Sequence, residues 1–118
     1  MSAPAELSAI TKAYDLVQWY VPIIGRFPRS HRFVLGERME TTLYGILEML
    51  VRAKYRREKS ALLEEANLQL EILRFQTRLA KDLELVALKR YEHVAREIDK
   101  LGCEVGGWLR QQGGGKAK

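Results

Sequence analysis

The chain has 118 residues, about one domain's worth, with 20 Lys and Arg against 15 Asp and Glu and a formal net charge of +5. A 47% hydrophobic and 30% charged content can bury a core and solvate a surface, which excludes global disorder. The lone Cys103 excludes an internal disulfide, the N-terminus lacks a basic-then-apolar signal pattern, and no apolar run approaches the roughly 20 residues of a membrane span, so a soluble, cytoplasmic protein without a membrane partner is expected.

Apolar residues recur three and four apart through the chain, and no segment keeps a strand-like alternation. Pro4 after Ser2 and Ala3 reads as the entry to a first helix. Its expected core seam is Leu7, Ile10, Tyr14, Val17, Val21 and Ile24, and Gly25, Phe27 and Pro28 end it. Ser30 is the expected cap of a second helix with the seam Met39, Leu43, Ile46, Leu50 and Ala53. Ser60 is the expected cap of a third, with Leu63, Ala66, Leu70, Leu73, Thr77 and Ala80 inward. The junction near Leu83 to Leu88 has no Gly, Pro or obvious cap. A fourth helix follows with Tyr91, Val94, Ile98, Leu101, Val105 and Trp108, fraying by Gln112. Short connections make neighbours antiparallel, so the expected fold is all-α, an up-down-up-down four-helix bundle over residues 1–112 with a flexible basic tail at 113–118.

A second apolar stripe runs beside the first: Leu68, Ile72, Phe75, Leu79, Leu83 and Val86 on the third helix, Tyr44, Leu47, Val51 and Tyr55 on the second, Trp19, Tyr20, Ile23 and Phe27 on the first. Two readings are open: a wide core face within one protomer, or an interface between subunits. Trp19, Phe75, Leu79 and Trp108 are expected to pack.

Catalytic chemistry finds no constellation. A carboxylate-bridged metal site in a bundle needs Glu-x-x-His, yet Arg90 precedes His93 and Pro28 precedes His31 by three. There is no Gly-rich phosphate loop, and Cys103, without a flanking base, reads as a small packing residue. Glu and Lys or Arg alternate along the helices, with Glu48 and Arg52 at i, i+4, as on solvated faces. The expectation is a non-enzyme with no metal and no cofactor.

The basic residues are clustered. The turn RFPRSHRF carries Arg26, Arg29, His31 and Arg32 without an acid, and RAKYRREK, at the end of the second helix, includes Arg56 and Arg57. In an up-down bundle these lie at opposite ends, and Lys89 and Arg90 return to the first turn. Arg-rich turns grip phosphates through forked hydrogen bonds, and Phe27, Phe33 and Tyr55 are placed to stack on unpaired bases. The alternative is a solubilising surface, with Phe27 and Phe33 closing the bundle end.

The strings KAYDLVQWY, FPRSHRFVLGERM, LLEEANLQLEILRFQTRLAKDL and GGWL resemble the four-helix-bundle family that contains the 23S ribosomal RNA intervening-sequence proteins and the accessory variability determinants of diversity-generating retroelements. The resemblance runs from about Lys12 to Leu109. It implies a protomer that assembles as a homopentameric ring and binds a reverse transcriptase and nucleic acid, RNA or cDNA, in support of mutagenic reverse transcription. The family's basic turn falls on Arg26, Arg29, His31 and Arg32, its LGER arginine on Arg38, and its third-helix arginines on Arg74 and Arg78. Arg74 and Arg78 are alternatively structural, paired with Glu71 or Asp82. Ala87 stands where members of that family often carry a polar cap. An adaptor role without a reverse transcriptase is the alternative function.

Overall fold

The computed structural model describes residues 5–114, and among these every regular element is helical. Four long helices, α1 (Ala5–Gly25), α2 (Glu37–Tyr55), α3 (Ser60–Asp82) and α4 (Leu88–Gly114), form a four-helix bundle. Each packs on its neighbours in the cyclic order α1, α2, α3, α4. The entry expected at Ser2 to Pro4 and the last tail residues, 115–118, lie outside the described residues. The fourth helix runs to Gly114, two residues past its expected end at Gln112.

Two expected seams are buried as read, all five positions on α2 and all six on α3; on α4 Val94 to Trp108 are buried and Tyr91 is partly buried. The α1 seam is corrected. Ile24 is buried as expected and Ile10 and Val17 are partly buried, but Leu7, Tyr14 and Val21 are exposed, and the core takes Ala9, Ala13, Leu16, Tyr20, Ile23 and Phe27 instead. Both sets have heptad spacing, so period alone does not choose between them. The bulk of Trp108 fills the end of the core where α1 begins, and the small Ala9 and Ala13 leave room for it. Farther along, Tyr20 reaches across to the diagonal helix, where its hydroxyl donates to Thr77 Oγ1 at 2.5 Å while Thr77 donates to the Leu73 carbonyl at 2.7 Å. Burial, partly offset by the Thr77 hydrogen bond, pushes the Tyr20 phenol well above its ordinary pKa.

The connections use chemistry that residue types did not announce. After α1, one helical turn (Arg29–His31) runs into a π-helical turn (Arg32–Gly36) that continues as α2. Ser30 is not a cap: Pro28 holds the N-cap position, and its carbonyl accepts from the His31 and Arg32 amides. Gly36 abuts α1 so closely that a Cβ there would lie 2.9 Å from Ile24 Cγ2. Ser60 does not cap α3 either; Lys59 holds that N-cap position with no side-chain bond to the helix it precedes. Its ammonium instead donates back to the carbonyls of Ala53 (2.8 Å) and Arg56 (2.5 Å), closing the end of α2.

The junction after α3 is a Schellman motif without glycine. Leu85 N–H bonds the Ala80 carbonyl at 2.8 Å, and Glu84 N–H bonds that of Lys81 at 2.9 Å. Glu84 occupies the left-handed position with φ 63°, the sole non-glycine there among the described residues. Ala87 then begins α4 with its carbonyl accepting from Tyr91 N–H at 2.9 Å, without a side chain to cap it.

Further packing expectations are corrected. Phe75 and Leu79 are 63% and 48% exposed, because α3 already turns six residues inward and these two lie on its outer side. Trp108 is fully buried with its indole N–H unpartnered, and Trp19 is partly buried, edge-on to Tyr20. Cys103, expected inside, is exposed, since Leu101 and Val105 take the inward positions on either side of it. Glu48 and Arg52 form no ion pair.

Candidate nucleic-acid interface

The bundle places the basic residues at two poles. α1 ends, α2 begins, α3 ends and α4 begins at one pole, so Arg26, Arg29, His31, Arg32, Lys89 and Arg90 share it. Arg56 and Arg57 follow the other end of α2, about 28 Å away by the rise of a 19-residue helix. The structure brings together six of the eight residues and leaves Arg56 and Arg57 at the opposite pole.

At the first pole the polypeptide itself holds the arginines out. Phe27 is buried and anchors the turn, whereas Phe33 is half exposed. The π-helical turn presents the Phe33 ring outward, and two guanidinium groups lie over it: Arg32 at 4.7 Å and Arg29 at 5.8 Å from the ring centroid. Such stacking restrains the planar groups while leaving their N–H edges to solvent. Arg26, Arg29, Arg32, Lys89 and Arg90 make no ion pair among the described residues. Their charge is therefore uncompensated locally, as a phosphate-binding surface requires.

Arg38 adds to this pole from the first turn of α2. With Phe33, Val34, Glu37, Thr41, Thr42 and Gln76 it lines an open groove of about 500 Å³ between α2 and α3. Lys81, which residue spacing did not single out, arrives with the end of α3; it pairs with Asp82 at 2.9 Å and sits 5.1 Å from the Tyr91 ring. Antiparallel pairing of α2 with α3 was the signal that could have found it.

The two α3 arginines differ in their pairing. Arg74 is paired, bonding Glu71 at 3.0 Å and Asp99 of α4. Partial burial works against its charge, but Asp99, and then Glu71, outweigh that and hold its proton more firmly than usual. Arg78 is exposed and unpaired among the described residues; Asp82, its expected partner, turns to Lys81. At the opposite pole Tyr55 is 78% exposed with the Lys54 ammonium 5.4 Å from its ring.

Among the described residues no group of three or more His, Cys, Asp or Glu is placed to hold a metal, and no helix is long and apolar enough to cross a membrane. His93 lies 6.0 Å from the Trp19 ring, beside a groove of about 270 Å³ shared with Lys12, Asp15 and Glu97.

No curated protein matches the sequence. A family model described as bAvd-like matches residues 9–112, a span that takes in the basic turn, the LGER arginine, the α3 arginines and the GGW string. That is not a known enzyme family. With the match covering nearly all of the bundle, the chain belongs to the bAvd-like family, that of the accessory variability determinants.

Proposed function

We propose that the chain is a non-enzymatic accessory protein of a diversity-generating retroelement, assembling as a homopentameric ring that binds the reverse transcriptase and its RNA or cDNA. The observation that carries the reading is the convergence of Arg26, Arg29, His31, Arg32, Lys89 and Arg90 on one pole, in a chain of the bAvd-like family. Phosphate contacts fall to the five arginine and lysine side chains, with Phe33 fixing two of them. Repetition around a ring concentrates this field, which gives weight to a modest +5 per protomer. Arg56 and Arg57 serve a second, separate contact at the far pole.

Salt titration of binding to a labelled single-stranded RNA tests the nucleic-acid part. Five neutralised phosphates give a slope of about −3.5 in log affinity against log salt, or a loss of roughly 100-fold between 50 and 200 mM. Replacing Arg29 and Arg32 by Gln lowers that slope by about 1.4. A flat salt response removes the reading. Co-purification of the tagged chain with a retroelement reverse transcriptase tests the protein part; failure with intact RNA binding favours the adaptor role.

A further inference from the structure

The groove between α2 and α3 at the basic pole holds a polar group that the fold leaves without a partner. Gln76 of α3 lines this groove, and its Oε1 atom is buried with no hydrogen bond. A buried acceptor left unpaired is costly, and native structures keep few of them. The Thr42 hydroxyl on the same groove does not serve it, because Thr42 donates to the Arg38 carbonyl at 3.0 Å. Glu37 and Arg38 of α2 also line the groove, and neither makes an ion pair among the described residues. The volume of about 500 Å³ lies within the range of small-ligand pockets, about 300–1,000 Å³. Phe33, the ring beneath the Arg29 and Arg32 guanidinium groups, lines it as well.

We propose that this groove seats one unpaired nucleobase by its exocyclic amino group, next to the phosphate that Arg29 and Arg32 hold; this rests on the nucleic-acid reading above. Three features select that ligand. Phe33 is shared between the arginine pair and the groove, so a strand held by its phosphate at the arginines brings its base to the groove wall. The groove offers two acceptors, the Gln76 carbonyl and the Glu37 carboxylate, and an amino group has two N–H bonds to give them. The Gln76 amide turns about a soft terminal torsion, so its carbonyl comes round to the groove when a donor enters. Arg38 supplies the opposite chemistry, a donor for the ring nitrogen or carbonyl oxygen beside the amino group. In a duplex that edge of the base is spent on its complement, so the groove selects unpaired nucleotides.

Fluorescence anisotropy with two labelled strands of equal length tests this. One is oligocytidylate; the other is the same strand built from pyrimidin-2-one riboside, which differs from cytidine only in lacking the amino group. The wild type is expected to bind oligocytidylate roughly 3- to 10-fold more tightly, the worth of one hydrogen bond, with the same salt slope for both strands. Gln76→Met removes the acceptor and is expected to bind the two strands equally, with the salt slope kept. Gln76→Glu retains an acceptor and is expected to retain the preference. Circular dichroism checks that both variants keep their helicity, and the wild-type comparison stands without them. Equal wild-type affinities with a steep salt slope overturn the base site and leave the phosphate-binding surface standing. A preference that survives in folded Gln76→Met, or is lost as well in Gln76→Glu, overturns the role of the Gln76 carbonyl. Failure of the wild type to bind either strand overturns both readings.

Discussion

Glu84 is the position where the backbone asks for a residue the chain does not have. The Schellman motif that ends α3 needs a left-handed residue, and Glu84 adopts φ 63° with a Cβ that crowds its own carbonyl. That conformation costs a non-glycine residue about 1–2 kcal/mol. Glycine removes the cost but brings about 0.5–1 kcal/mol of extra unfolded-chain entropy, so Glu84→Gly is expected to stabilise by about 0.5–1 kcal/mol. A carboxylate at the negative end of a helix is also unfavourable by about 0.3 kcal/mol at an exposed site, and Glu84→Gln recovers that part alone. For a chain of this length 1 kcal/mol corresponds to about 4 °C in Tm. Urea and thermal unfolding followed by circular dichroism therefore rank the proteins Glu84→Gly, then Glu84→Gln, then wild type. Equal gains from Gly and Gln would assign the whole effect to charge and refute the strain argument.

Gly36→Ala places a methyl group 2.9 Å from Ile24 Cγ2, a branched and buried neighbour with little room to yield. Despite the better helix propensity of Ala, a loss of about 1–2 kcal/mol is expected in the same unfolding assay, and an unchanged midpoint would show that α1 moves aside freely. Tyr20 makes stability fall at high pH. The unfolded phenol ionises from about pH 10 while the folded one stays neutral, so its contribution is complete below that pH and declines above it by up to about 1.4 kcal/mol per unit. Tyr20→Phe costs about 1 kcal/mol at neutral pH through the lost bond to Thr77, and flattens the alkaline decline between pH 10 and 11; an equally steep decline in that variant would place its origin elsewhere.

Much of this molecule was legible in the order of its residues, because helical period and local charge are properties of short segments. Met39 to Ala53, Leu63 to Ala80 and Val94 to Trp108 each form a stripe of one consistent phase, and the basic turn from Arg26 to Arg32 is contiguous. Where two stripes compete on one helix, period says nothing about which is inside. On α1 the choice fell to Ala9, Ala13 and Tyr20 because Trp108 fills the core at one end and Thr77 offers a hydrogen bond farther along. Those partners are about 60 to 100 positions away in the chain, so only packing could rank the stripes. The same holds for the surface. That Lys89 and Arg90 join Arg29 and Arg32, that Arg74 turns to Asp99, and that Phe75 and Tyr14 face outward from different sides of the bundle all follow from how the helices are arranged, since charge and apolar area acquire a direction only when the helices have neighbours.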